Sequence, residues 1–66
     1  MRIEINGRTE QVGDGLRLGE LVDQRVTARR GVAVAVDGEV VPRDGWDELA
    51  LTEGARVEIV GAVQGG

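Results

Sequence analysis

Sixty-six residues suffice for one small domain with a modest core. Twelve acids against eight bases leave a net charge of −4, and Trp46 is the sole aromatic residue, so nucleic acid is not an expected partner: that binding rests on cationic contacts to phosphate and on stacking rings. The chain has no Cys, His, Lys, Ser or Tyr, which excludes disulfides, a Cys/His metal set, and most nucleophiles and general bases other than carboxylates.

No apolar run is long enough to span a bilayer, and no signal-peptide pattern follows Met1, so the expected location is the cytoplasm. All eight bases are Arg, and the only amine available for an isopeptide link is the N-terminus.

Met1-Arg2-Ile3-Glu4-Ile5 alternates apolar and polar residues, the period of a strand buried on one face. Asn6-Gly7 follows, the strongest short hairpin signal, because both residues tolerate the positive φ of a type I′ turn. Arg8 to Val12 returns as a second, more polar strand. After Gly13-Asp14-Gly15, apolar residues recur at Leu18, Leu21, Val22 and Val26, one face of a helix packed on the sheet. Its start is poorly made. Glu20 stands where half of a capping box would lie, but Arg17 replaces the usual Ser or Thr, and Gly19 is a weak first-turn residue. Arg29-Arg30 reads as a solvated helix end favoured by the dipole, with contact to an acidic partner as the alternative.

Val32-Ala33-Val34-Ala35-Val36 is expected to be the central strand, with valines on one face and alanines on the other. A strand apolar on both faces is either covered twice or lies under a docking surface. Asp37-Gly38 marks another turn, and Pro42 belongs at a strand end or edge. Arg43 to Leu49 is irregular, with one short helical turn and Trp46 as a lid on the core. Thr52 to Ala55 reads as a turn, and Arg56 to Val60 as the last strand, with Val57 and Ile59 pointing inward. Two segments result: a domain over residues 1–60 and a tail over 61–66 that, extended, reaches about 20 Å beyond the sheet.

That tail ends Val63-Gln64-Gly65-Gly66. In a chain so short of nucleophiles, the free carboxylate of Gly66 is the most distinctive chemical group. Gly65 and Gly66 have no side chains to clash and can adopt strained backbone angles, so such a tail, expected to be mobile, can thread a narrow channel. The passive alternative is an interaction module whose last two glycines are incidental. An enzyme built on paired acids such as Asp44 and Asp47 would need a pocket that a chain of this length hardly accommodates.

Hairpin, helix, strand, short crossing and last strand fit an α+β fold of the β-grasp, or ubiquitin-like, kind: a mixed sheet, one main helix on one face, and the last strand beside the first. The run Val36-Asp37-Gly38-Glu39-Val40-Val41-Pro42-Arg43-Asp44-Gly45-Trp46, the segment Glu53 to Ile59 and the closing Gly65-Gly66 closely resemble the ThiS family of small sulfur carriers in thiamine biosynthesis. The resemblance covers the whole chain in length and segment order. Arg17 departs from it, standing where a Thr is common. It implies that a ThiF-like enzyme adenylates the Gly66 carboxylate with ATP, that sulfur from a cysteine desulfurase relay replaces AMP to give a thiocarboxylate, and that a ThiG-like thiazole synthase takes the sulfur. On that reading the chain is a protein co-substrate rather than an enzyme, binds no cofactor and is a monomer when free. Gln64 and Gly65 thread the tail, and Ala33, Ala35, Glu58 and Val60 are the candidate docking residues on the outer sheet face. The small subunit of molybdopterin synthase (MoaD-like) ends in the same two glycines and is the rival carrier, but the Val-Pro-Arg…Trp run argues against it.

Overall fold

The structure, a computed structural model, describes residues 1–61. Strands β1 (Arg2–Ile5) and β2 (Arg8–Gln11) pair antiparallel from Arg2 opposite Gln11 to Ile5 opposite Arg8. Asn6 at φ 49° and Gly7 at φ 85° form the two-residue turn between them, both left-handed as a type I′ turn requires. Helix α1 (Leu18–Arg25) follows, then β3 (Val32–Val36), β4 (Glu39–Val40), a 3₁₀ turn over Arg43–Glu48, and β5 (Arg56–Gly61). Asp37 (φ 52°) and Gly38 (φ 85°) repeat the same turn geometry between β3 and β4.

The five strands form one sheet in the order β2-β1-β5-β3-β4. Only β1 and β5 run parallel; the other pairs are antiparallel. With the helix on one face and the last strand beside the first, this is the expected β-grasp arrangement.

The position of β3 corrects the sequence reading. The central strand is β5, and β3 lies next to the short edge strand β4. Apolar character on both faces of Val32–Val36 suggested the middle of the sheet, but centrality concerns the two hydrogen-bonding edges, not the two faces. β5 carries the charged outward residues Arg56 and Glu58, and its backbone is paired on both sides. It also runs one residue further than expected, through Gly61, which lies opposite Val32.

The core is a single cluster between the sheet and α1. Ile3, Ile5, Val34 and Val57 from the sheet meet Leu18, Leu21 and Val22 from the helix, with Trp46 closing one side. Each such aliphatic side chain contributes about 1.5–3 kcal/mol on burial. Trp46 is buried and its indole N–H donates to the Val41 carbonyl at 2.8 Å, so its one polar atom is satisfied.

The weak helix start is explained by its neighbours. Arg17 is the N-cap, and its backbone N–H donates to the Glu20 carboxylate at 2.9 Å, one half of a capping box. An Arg side chain has no acceptor for the other half, and its guanidinium instead donates to the Asp47 carbonyl at 3.1 Å. The Leu18 N–H donates to the Leu49 carbonyl at 2.8 Å and the Leu51 N–H to the Leu16 carbonyl at 2.9 Å, so the chain after the 3₁₀ turn is stitched to the helix entry.

Arg29 is neither a free solvated cation nor an open docking residue. Its guanidinium pairs with Asp23 at 2.8 Å and Asp47 at 2.8 Å and lies 5.6 Å from the Trp46 ring centroid. It also donates to the Gly19 carbonyl at 3.3 Å. Arg30 is exposed, as the solvated reading expects. The same cluster accounts for Gly19, where a Cβ would stand 2.0 Å from the Asp47 Oδ1 and 2.9 Å from an Arg29 nitrogen.

Candidate functional site

Strand β5 ends at Gly61, so its last residues are the described ones that precede the segment 62–66. Gln64, Gly65 and Gly66 lie outside the described residues.

The four residues singled out on the outer face come together. Ala33 lies opposite Val60 and Ala35 opposite Glu58 across the β3–β5 ladder, and residues directly opposite one another share a face. Val34 and Val57 point the other way into the core. No helix covers this outer face: Ala33, Glu58 and Val60 are exposed and Ala35 is half-buried. Val60 retains 62% of its surface.

Sequence reasoning missed a fifth member. Val40 lies opposite Ala35 on β4 and keeps 75% of its surface. The signal was present: a two-residue Asp37-Gly38 turn places Val36 opposite Glu39, and therefore Ala35 opposite Val40. The result is an apolar strip of Val40, Ala35, Ala33 and Val60 with Glu58 as its one charge. Across the sheet the same face turns polar, with Arg56 facing Glu4 at 3.9 Å.

The root of the tail is braced from the opposite side. The Asn6 carboxamide donates to the Ile59 carbonyl at 3.2 Å and accepts from the Ile59 N–H at 2.8 Å. Beside it an open hollow of about 390 Å³ is lined by Asn6, Arg8, Glu10, Arg25, Ile59 and Gly61, among others. Arg25 and Glu10 form a two-pronged ion pair there, and the hydrogen bonds from Arg25 hold the Glu10 carboxyl below its usual range.

The paired-acid alternative finds no geometry to support it. Asp47 is held by Arg29, whose hydrogen bonds keep its carboxyl ionised below the usual range, so it is not available as a base beside Asp44. Among the described residues, no group of three or more His, Cys, Asp or Glu is placed to hold a metal ion. No described helix is long and apolar enough to cross a membrane.

The pattern defining the ThiS family matches residues 2–66, which is nearly the whole chain including both terminal glycines. The chain belongs to the ThiS family. It is 27% identical over 66 residues to the sulfur carrier protein ThiS of Escherichia coli K12, and the match spans the full length of both chains. In three dimensions it is similar to the crystal structure of the thiamine biosynthesis protein ThiS from Geobacter metallireducens, with a TM-score of 0.83, 29% identity and full coverage of both chains. The solution structure of a thiamine biosynthesis protein from the same organism matches with the same TM-score and identity, covering 88% of that chain. Of the features described, the Val60–Ala33 end of the strip, the Asn6 brace on Ile59 and the hollow lined by Gly61 border the last residues of β5.

Proposed function

We propose that this chain is a sulfur carrier of thiamine biosynthesis that works through its terminal carboxylate. The observation that carries the reading is the extent of the family match, which runs through Gly66 and so includes the tail as well as the fold. Carboxylate chemistry explains the cycle. A carboxylate is a poor electrophile because its leaving group would be oxide. Attack of the Gly66 carboxylate on the α-phosphate of ATP gives an acyl adenylate and pyrophosphate. The outer sulfur of a donor persulfide then attacks the carbonyl carbon and AMP leaves, giving an acyl disulfide. A thiol of the partner enzymes attacks the donor-side sulfur, a disulfide forms between the two partner sulfurs, and the Gly66 thiocarboxylate is released.

A ThiF-like enzyme performs the activation, a cysteine desulfurase relay supplies the sulfur, and a ThiG-like thiazole synthase receives it, all in the cytoplasm. The chain is a co-substrate of these enzymes and not itself a catalyst. Gly65 and Gln64 pass through the activating enzyme's channel. Ordering the tail opposes docking by about 1–2 kcal/mol per residue, so affinity has to come from the body of the domain. The strip of Ala33, Ala35 and Val60, with Glu58 and Val40, is the surface we assign to that task.

The test is intact mass after incubation with ATP, a ThiF-like enzyme and a sulfur source, beside a chain lacking Gly66. The expected result is exchange of one oxygen for one sulfur, absent from the truncated control. Failure to form either adenylate or thiocarboxylate with an enzyme shown to be active would overturn the reading in favour of a passive interaction module.

A further inference from the structure

We propose that the groove between β4 and the 3₁₀ turn is a second docking site, one that receives an apolar side chain flanked by Lys or Arg from a partner protein. The groove is about 510 Å³ in volume and open to solvent. Pro42 creates it. The β3–β4 ladder ends with the bond from the Val41 N–H to the Val34 carbonyl at 2.9 Å, and the chain then turns away into the 3₁₀ segment. A gap remains between Val40, Val41 and Pro42 on one side and Leu49 on the other. Its walls are preformed, because the Gly45 N–H donates to the Pro42 carbonyl and the Trp46 indole to the Val41 carbonyl. A site that needs no rearrangement loses little affinity to ordering.

Charge selects the occupant. Three carboxylates line the groove, Asp37, Glu39 and Glu48, and no base does. None of the three is in an ion pair among the described residues, whereas Arg25, Arg29 and Arg56 all face other acids. Asp37 accepts a hydrogen bond from the Arg56 backbone N–H at 3.0 Å, but no cation neutralises any of the three among the described residues. Carboxylates without a cation beside apolar walls favour a ligand that brings cations to the rim and an apolar group to the floor. A second copy fits poorly, because a two-fold contact would set the same acids against themselves. The residues Ala62 to Gly66 carry no base, and β5 ends at Gly61 opposite Val32, at the end of β3 away from the groove. The groove therefore meets the outer strip only at Val40, at the end of β3 away from Gly61, and the proposal does not depend on the sulfur-carrier reading.

The experiment is an NMR titration of the uniformly ¹⁵N-labelled full chain with acetyl-Arg-Leu-Leu-Arg-amide, and separately with acetyl-Glu-Leu-Leu-Glu-amide. The basic peptide is expected to move the backbone amides between Val36 and Leu49, and the acidic peptide to leave them in place. The Glu39→Lys, Glu48→Lys double variant, both changes on exposed side chains, should keep a dispersed spectrum and lose the response. A Val40→Ser variant should weaken it, and added salt should weaken it further. Equal response to both peptides, shifts confined to the Ala33–Val60 strip, or no response overturns the proposal. Concentration-dependent shifts of the groove residues without peptide overturn it in favour of self-association.

Discussion

The Asn6 side chain makes two hydrogen bonds with the Ile59 backbone, accepting from its N–H at 2.8 Å and donating to its carbonyl at 3.2 Å. β1 has already ended at Ile5, and Asn6 belongs to the turn, so the amide extends the β1–β5 pairing beyond the last β1 residue. One residue thus sets the turn and secures the strand that carries the tail. Replacing Asn6 by Gly keeps the left-handed backbone and removes only the clamp. The expected loss is about 1–2 kcal/mol in denaturant unfolding with the slope unchanged. Amide exchange at Ile59 should accelerate more than at Val57; unchanged exchange at Ile59 would show that the clamp does not hold the strand.

Gly19→Ala should destabilise the domain, although alanine is favoured over glycine in an ordinary helix by about 1 kcal/mol. The added Cβ would meet the Asp47 Oδ1 at 2.0 Å and displace it from Arg29. Combining it with Asp47→Ala should recover much of the loss, a non-additivity readable in a double-mutant cycle. Additive effects would mean that the carboxylate moves aside at no cost.

Arg17→Thr should stabilise the chain by about 0.5–1 kcal/mol, raising the melting temperature by a few degrees. Threonine supplies the missing acceptor at the N-cap, while Glu20 already accepts from the residue 17 N–H. The bond from the Arg17 guanidinium to the Asp47 carbonyl is lost, but it is exposed.

Acid should weaken the Arg29 staple. Hydrogen bonds from Arg29 hold the carboxyls of Asp23 and Asp47 below their usual range. Because the folded form binds these protons less readily than the unfolded chain does, their contribution is present above the ordinary aspartate value of about 3.9 and fades as pH falls through it and below. Melting temperature should drop across that window, less steeply in an Asp23→Asn, Asp47→Asn variant. Both side chains are mostly exposed, so the difference should be small and should shrink further in high salt.

The elements that sequence made legible are those with local causes. Asn6-Gly7 and Asp37-Gly38 announce turns through their tolerance of positive φ, and Leu18, Leu21 and Val22 announce a helix through their spacing. The outer strip was legible for the same reason, since alternation alone separates Ala33 and Ala35 from Val34. What depended on contacts distant in sequence was not. Nothing near Arg29 shows that it bridges Asp23 and Asp47 over Trp46, and Gly19 looks like a defect until the chain nearly thirty residues later is brought against it. The rank of β3 in the sheet failed similarly, because strand order is decided by backbone partners rather than by side-chain polarity.

The parallel run of β1 and β5 also has a mechanical consequence. A pull on Gly61 along the strand, resisted through β1, does not peel the bonds one at a time. The bonds from Glu4 to Ala55 and from Asn6 to Val57, both 2.9 Å, and the amide clamp on Ile59 are loaded together in shear. They must fail together, so a tug on the end of the chain meets the barrier to unfolding of the whole sheet rather than the fraying of one strand.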